Sequence, residues 1–277
     1  MIRKILIPLL IVVMVIPVTV QSAKKINVYG FVRSDFFYNS RLNEETIDGV
    51  FEFFPKPVSL NNEGEDVNAV PNAELISVTT RVGVDIKGDR ILNADVSGKI
   101  EADFAGTGST YFFLRIRQAY TQLQWDKTRL LVGQAWHPMS GTVFPTMVSL
   151  NTGAPFQPFN RSPQVRLEQK LSDKINFTTA AIYQMQYLSY GPAGASANYL
   201  KRSVLPNLFA GFEYKNKSSI LSIGADYKRI KPEQNYLHSI SAQIFGQHII
   251  KDLQLRGKIL LGENLSDHIM MGGYAVS

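Results

Sequence analysis

Apolar and polar side chains alternate every two residues along most of the chain. Between Leu92 and Phe104 the even-numbered positions are apolar or small, and the odd-numbered positions are polar or charged. Successive residues of a strand point to opposite faces, so this run predicts a strand with one apolar and one polar face. The run spans about thirteen residues, which is long enough for a tilted strand to cross a bilayer.

The same alternation predicts eleven strands in all. Their expected ranges are 26–39, 75–87, 91–104, 111–125, 129–137, 162–171, 174–188, 205–215, 219–231, 236–248 and 252–262.

Charged residues in the first three predicted strands all share the polar face of their own strand. They are Arg33, Asp35, Arg81, Asp85, Lys87, Asp95, Lys99, Glu101 and Asp103. The opposite faces are predominantly apolar, with Phe36 in the first strand and Ile76 and Val82 in the second. A Lys or Arg facing lipid at the midplane costs ~2–4 kcal/mol, whereas one facing water costs little. The pattern therefore predicts an all-β, antiparallel up-and-down transmembrane β-barrel with a wet interior.

The fourth predicted strand departs from simple alternation. Leu114 and Ile116 oppose Arg115 and Arg117, but the segment 118–125 fits only with the two faces exchanged. One extra residue in a strand has this effect, so we expect a β-bulge near Gln118.

Short and long links between the predicted strands alternate in chain order. The tight turns are expected at 88–90, 126–128, 172–173, 216–218 and 250–251, and the longer links at 40–74, 105–110, 138–161, 189–204 and 232–235. Outer-membrane barrels have short periplasmic turns and longer external loops, so this order predicts the topology.

The two ends of the chain carry separate expectations. Residues 1–23 resemble a secretory signal peptide, with a basic start, an apolar stretch containing Pro8 and Pro17, and small residues at the expected cut. A retained membrane anchor is the alternative. Residues 24–277 are then the barrel. Because eleven is an odd number and no terminal aromatic strand precedes Ser277, we expect the N-terminal part of a larger porin.

Composition removes several classes of function. The mean hydropathy of −0.05 is too low for a bundle of membrane helices. Without cysteine there is no thiol nucleophile, disulfide or cysteine zinc site. The net charge of +6 comes from dispersed basic residues, which argues against nucleic-acid binding. The four histidines lack metal-ligand spacing, so we expect no metal site, no cofactor and no enzyme; a lipid-hydrolysing barrel remains an alternative.

Four short motifs resemble the DcaP-like trimeric porins of Gram-negative bacteria. They are the segments 29–35, 114–120, 132–138 and 262–265, which read YGFVRSD, LRIRQAY, VGQAWHP and GENL. The resemblance implies a sixteen-stranded barrel, a homotrimer, a third loop folded into the pore, and negatively charged small solutes.

Cations recur on the predicted polar faces and are the candidate pore-lining residues. They are Arg33, Arg81, Lys99, Arg115, Arg117, Arg166 and Arg256. Rings of Arg or Lys favour anions, provided that the side chains face solvent rather than pair with neighbouring carboxylates. The presumed constriction loop contains no Asp or Glu and offers Phe144, Asn151, Phe156, Phe159 and Arg161. Its phenylalanines either pack the loop against the wall or present an apolar surface to solutes.

Together these features predict an exported outer-membrane porin that passes small hydrophilic, anionic solutes by diffusion. Its expected partners are outer-membrane lipid and lipopolysaccharide, the anionic solutes and two further copies of the chain. The alternative is a plugged barrel that acts as an adhesin or receptor through its long loops.

Overall fold

Eleven strands form one antiparallel sheet in the computed structural model, which describes residues 23–46, 51–106, 113–147 and 153–270. Each strand pairs with the next one along the chain, which confirms the predicted up-and-down topology. Within the described residues, β1 and β11 are the edge strands. The strands are β1 (Ala23–Phe31), β2 (Arg81–Gly88), β3 (Asp95–Gly106), β4 (Phe113–Gln124), β5 (Thr128–Trp136), β6 (Arg161–Lys170), β7 (Ile175–Ile182), β8 (Asn207–Lys215), β9 (Ser219–Ile230), β10 (Leu237–Ile250) and β11 (Leu253–Gly262).

In the described part of the chain, helical structure is confined to short segments outside the sheet. They are the helix α1 (Asn198–Ser203) and two 3-10 turns, Pro138–Ser140 and Ser266–His268. Over the ranges described above, no helix has the length and apolar character needed to cross a membrane. The predicted signal peptide lies outside the described residues, apart from Ala23 at the start of β1.

The strand register brings like residues together on each face of the sheet. Val84 on β2 lies between Val28 and Ile100 on its neighbours, whereas Asp85 lies opposite Lys99. We call these the apolar face and the polar face. Apolar side chains such as Val28 (68% exposed) and Ile259 (63% exposed) are left open to the surroundings, as a sheet bordered by lipid requires.

A β-bulge interrupts the pairing of β3 with β4 at the predicted position. Glu101 pairs with Gln118, but the next residue, Ala102, pairs with Ile116. Arg117 is therefore the extra residue. The bulge exchanges the faces of β4, which explains why the alternation slips there.

The connection between β2 and β3 differs from the prediction. Leu92 and Asn93 have positive φ angles of 51° and 60°, and the backbone groups of Ile91 and Ala94 bond to each other across them. Two left-handed residues form a turn whose twist matches that of the flanking strands. The strand predicted to begin at residue 91 therefore begins at Asp95, and the first residues of the alternating run form the turn.

The first predicted strand is divided in two. β1 ends at Phe31 opposite Arg81, and a separate short strand, Asp35–Asn39, pairs with Asn72–Ile76. Between the two paired regions, one chain segment has three residues, 32–34, and its partner has four, 77–80. Because of this extra residue, the alternation in 72–76 is shifted by one position relative to that in β2, and its side chains exchange faces. The prediction for Ile76 was wrong for this reason: it is buried on the side of Asp35, and Leu75 is 70% exposed instead. Asn43–Thr46 and Phe51–Pro55 pair farther out in the same loop.

Gly133 on β5 allows a close approach that a larger residue would prevent. Its φ is +131°, and a Cβ atom there would lie 2.3 Å from the carbonyl oxygen of Ala119 on β4. We expect Gly133→Ala to lower the free energy of unfolding by about 1–3 kcal/mol, measured by urea unfolding in lipid vesicles. Gly257→Ala on β11 is the matched control, because nothing lies within 4 Å of its added Cβ. Equal losses in both variants would contradict the steric explanation.

Candidate functional site: the polar face and its third loop

Three arginines and two carboxylates form a compact cluster on β2, β3 and β4. Arg115 holds Asp103 in a fork, with Nε to Oδ1 at 2.9 Å and Nη2 to Oδ2 at 2.7 Å. Arg117, placed by the bulge, donates to both Glu101 and Asp103 at 2.9 Å. Arg81 lies 3.8 Å from Glu101. The cluster therefore contains one more cation than carboxylate.

Three other predicted pore-lining cations are also paired with carboxylates. Lys99 Nζ lies 2.8 Å from Asp85, and Arg166 lies 3.1 Å from Glu168. Arg33 bonds to Asp35 at 2.8 Å, beside the break in the first ladder. The sequence left open whether these cations face solvent or pair with neighbouring carboxylates. In the structure, all three are paired.

Arg256 differs, because it bonds to the loop between β5 and β6 instead of to a carboxylate. We call residues 137–160 the third loop. Arg256 Nη1 donates to the carbonyl oxygen of Phe144 at 2.9 Å and to Thr146 Oγ1 at 3.0 Å. Lys258, which sequence reasoning did not select, donates to Ser140 O at 2.7 Å and Gln157 Oε1 at 3.2 Å. Two cations of β11 thus hold a loop that begins six strands earlier.

The third loop runs over the polar face between these two ends. Thr142 Oγ1 donates to Glu213 on β8 at 2.6 Å, and Gln243 on β10 donates to Pro138 O at 3.1 Å. Met139 is fully buried and packs with Phe209. The loop therefore crosses β8 and β10 on its way to β11.

The phenylalanines of the third loop divide between the two predicted roles. The rings of Phe144 and Phe159 lie 5.4 and 5.2 Å from that of Trp136, so they pack the loop onto β5. Phe156 is 63% exposed. Asn151 lies outside the described residues.

Arg161, the first residue of β6, has no exposed surface. Its guanidinium stacks against Trp136, Phe159 and Tyr187, and its Nη2 donates to the Tyr187 hydroxyl at 2.6 Å. Unlike the other selected arginines, it is surrounded by aromatic rings.

Sequence reasoning missed a buried polar cluster where three loops meet. Lys228 on β9 lies 2.6 Å from Asp267, and Gln184 donates to the same carboxylate at 3.0 Å. The rings of His137 and His268 are 4.5 Å apart, although their spacing in sequence gave no sign of it. Burial lowers the pKa of His268 to about 4, so this ring is neutral at pH 7. In the part of the chain that the structure describes, no three His, Cys, Asp or Glu side chains are arranged to hold a metal ion.

Comparison with known protein families identifies the family of this chain. The sequence profile of the DcaP outer membrane protein family matches residues 16–223. The chain belongs to this family. It is therefore a member of an outer-membrane protein family, which confirms the resemblance seen in its motifs.

A solved structure shows the same fold. The outer membrane channel DcaP of Acinetobacter baumannii is 22% identical to the chain, with a TM-score of 0.64 over 84% of this chain. The match covers 62% of that protein, so the DcaP-family chain described here spans less than two thirds of it. The trimer form of OmpT of Vibrio cholerae is 8% identical, covers 87% of this chain and 79% of its own, and has a TM-score of 0.40. A comparison with curated protein sequences finds no match.

Proposed function

We propose that the protein is a porin through which small hydrophilic anions cross the outer membrane by diffusion. In this proposal the signal peptide directs export, outer-membrane lipid and lipopolysaccharide surround the apolar face, and the pores assemble as a homotrimer. The cations selected from the sequence line the pore, and the third loop constricts it without catalysis.

The observation that carries the proposal is the charge around the third loop. The loop contains no Asp, Glu, Lys or Arg. Arg161 directly follows it, and Arg256 and Lys258 bind it from β11. The loop also contacts three residues with carboxylates: Glu213, bonded to Thr142, Asp226, 3.7 Å from His137, and Asp267, which is paired with Lys228. In this proposal the cations outnumber the carboxylates where the loop narrows the pore, which favours anions.

The test is the reversal potential of single channels in a planar bilayer under a KCl gradient. We expect the sign of the reversal potential to show that chloride permeates more readily than potassium. Gln157→Glu, which places a carboxylate beside Lys258, should shift it toward potassium. Gln169→Glu adds the same charge at the turn end of β6 and should shift it far less.

Two results would contradict this function. A potassium-selective wild-type channel would overturn the anion preference. A folded, inserted protein without conductance would favour the plugged receptor, in which the third loop and the loop after β11 close the lumen. Those two loops already meet, because the backbone N–H of Phe159 donates to His268 O at 2.9 Å.

A further inference from the structure

Among the described residues, Arg161 is a buried cation without a carboxylate partner. Its Nε and Nη1 atoms are buried and have no hydrogen-bond partner in this part of the chain. Its Cζ atom lies 5.0 Å from the ring centres of both Trp136 and Phe159. Stacking of this kind offsets only part of the cost of removing a cation from water. A buried guanidinium with two unsatisfied nitrogen atoms is costly for stability, which suggests that Arg161 has a role other than packing.

Within the described ranges, the one hydrogen bond of this guanidinium is to Tyr187. The phenol oxygen accepts from Arg161 Nη2 at 2.6 Å, and a hydroxyl group that accepts retains its own proton to donate. No acceptor for that proton is found among the described residues. A charged donor polarises the hydroxyl group it bonds to, so Tyr187 becomes a stronger donor in turn.

Tyr187 lines a cavity of about 550 Å³ between the fourth loop, residues 183–206, and the ends of β3 and β4. Arg115 lies on the same wall. Its Nε and Nη2 bind Asp103, which leaves Nη1 for another acceptor. The cavity wall thus carries the partly paired guanidinium of Arg115 and the hydroxyl group of Tyr187. That hydroxyl group accepts a hydrogen bond from Arg161, whose guanidinium has no carboxylate partner among the described residues.

We propose that Arg161, Tyr187 and Arg115 form a binding site for small carboxylate anions in this cavity. Tyr187 and Arg115 contact the carboxylate, and Arg161 acts through the Tyr187 hydroxyl as a positioning residue. The inference rests on the proposed function, since it names the place where a permeating anion is recognised.

The decisive variant is Tyr187→Phe, which removes one oxygen atom and keeps the ring. In bilayers under a potassium acetate gradient, we expect the acetate-to-potassium permeability ratio to fall about fivefold, the factor typical of one lost hydrogen bond. Arg161→Met should lower it by a similar factor. Tyr214→Phe, at the turn end of β8, is the matched control and should leave the ratio unchanged.

A binding readout separates the site from the channel function. Trp136 stacks on Arg161, so its fluorescence in a Trp125→Phe background reports on the site. Titration with potassium acetate against potassium chloride should give a saturable change that Tyr187→Phe abolishes. A folded Tyr187→Phe protein with unchanged permeability ratio and titration would overturn the site while leaving the anion channel intact. A wild-type protein that does not conduct would overturn the proposed function, and the titration alone would then decide the site.

Discussion

Replacing Asp103 with Asn is expected to lower the free energy of unfolding by about 3–5 kcal/mol, the loss typical of breaking a buried ion pair. Its side chain is 1% exposed and neutralises Arg115 and Arg117 together. Asparagine has the same shape but no charge, so the three guanidinium groups of the cluster remain with Glu101 as its one carboxylate. Urea unfolding in lipid vesicles measures the change.

The control is Asp95→Asn at the turn end of the same strand. Asp95 pairs with Arg90, but its side chain is 75% exposed. Exposed pairs contribute about 0–1 kcal/mol, so this variant should unfold almost like the wild type. Similar small losses in both variants would mean that water reaches the cluster freely and that the arginines do not depend on Asp103.

Lys228→Met is expected to destabilise the protein by a similar amount, about 3–5 kcal/mol, through the loop after β11. The side chains of Lys228 and Asp267 are 3% and 0% exposed, and Lys228 also donates to the backbone oxygen of Asn264. Methionine fills the space but leaves the Asp267 carboxylate buried without its cation. Unfolding gives the energy, and limited proteolysis at residues 263–270 shows whether the loop is released.

The double variant Lys228→Met with Asp267→Asn distinguishes a charge effect from lost packing. Without either charge, neither side chain of this pair is a buried ion that has lost its partner, so we expect the pair of changes to cost less than Lys228→Met alone. Additive losses would show that the two residues stabilise the loop independently.

Sequence alternation was sufficient for the sheet because the orientation of strand residues is a local property. It located all eleven strands, a bulge near Gln118 and the third loop to within about one residue at each end. It assigned Ile76 to the wrong face. The segment 77–80 has one residue more than the segment 32–34 opposite it, and the sequence pattern does not reveal which segments lie opposite each other. It also assigned Leu92 to a strand, although this residue lies in a tight turn. The residues of the turn happen to continue the apolar and polar alternation of the strand that follows.

The site was predictable in its residue types but not in its contacts. Alternation selected Arg115 and Arg256 alike, although one binds a carboxylate and the other binds a loop. Lys228 and Asp267 are 39 residues apart, and their contact depends on how the loop after β11 folds back over β9. Such contacts follow from loop paths, which have no periodic signature in the sequence.

The break in the first ladder separates the eleven-stranded sheet from the short paired strands of segment 35–76. Side chains bridge the gap: Ser34 meets Ser77 at 2.8 Å, and the Arg33 backbone N–H donates to Thr80 Oγ1 at 3.1 Å. The register of β1 with β2 is therefore set below the break, without help from the short strands above it. We therefore expect substitutions in segment 35–76 to leave the pairing of β1 with β2 unchanged.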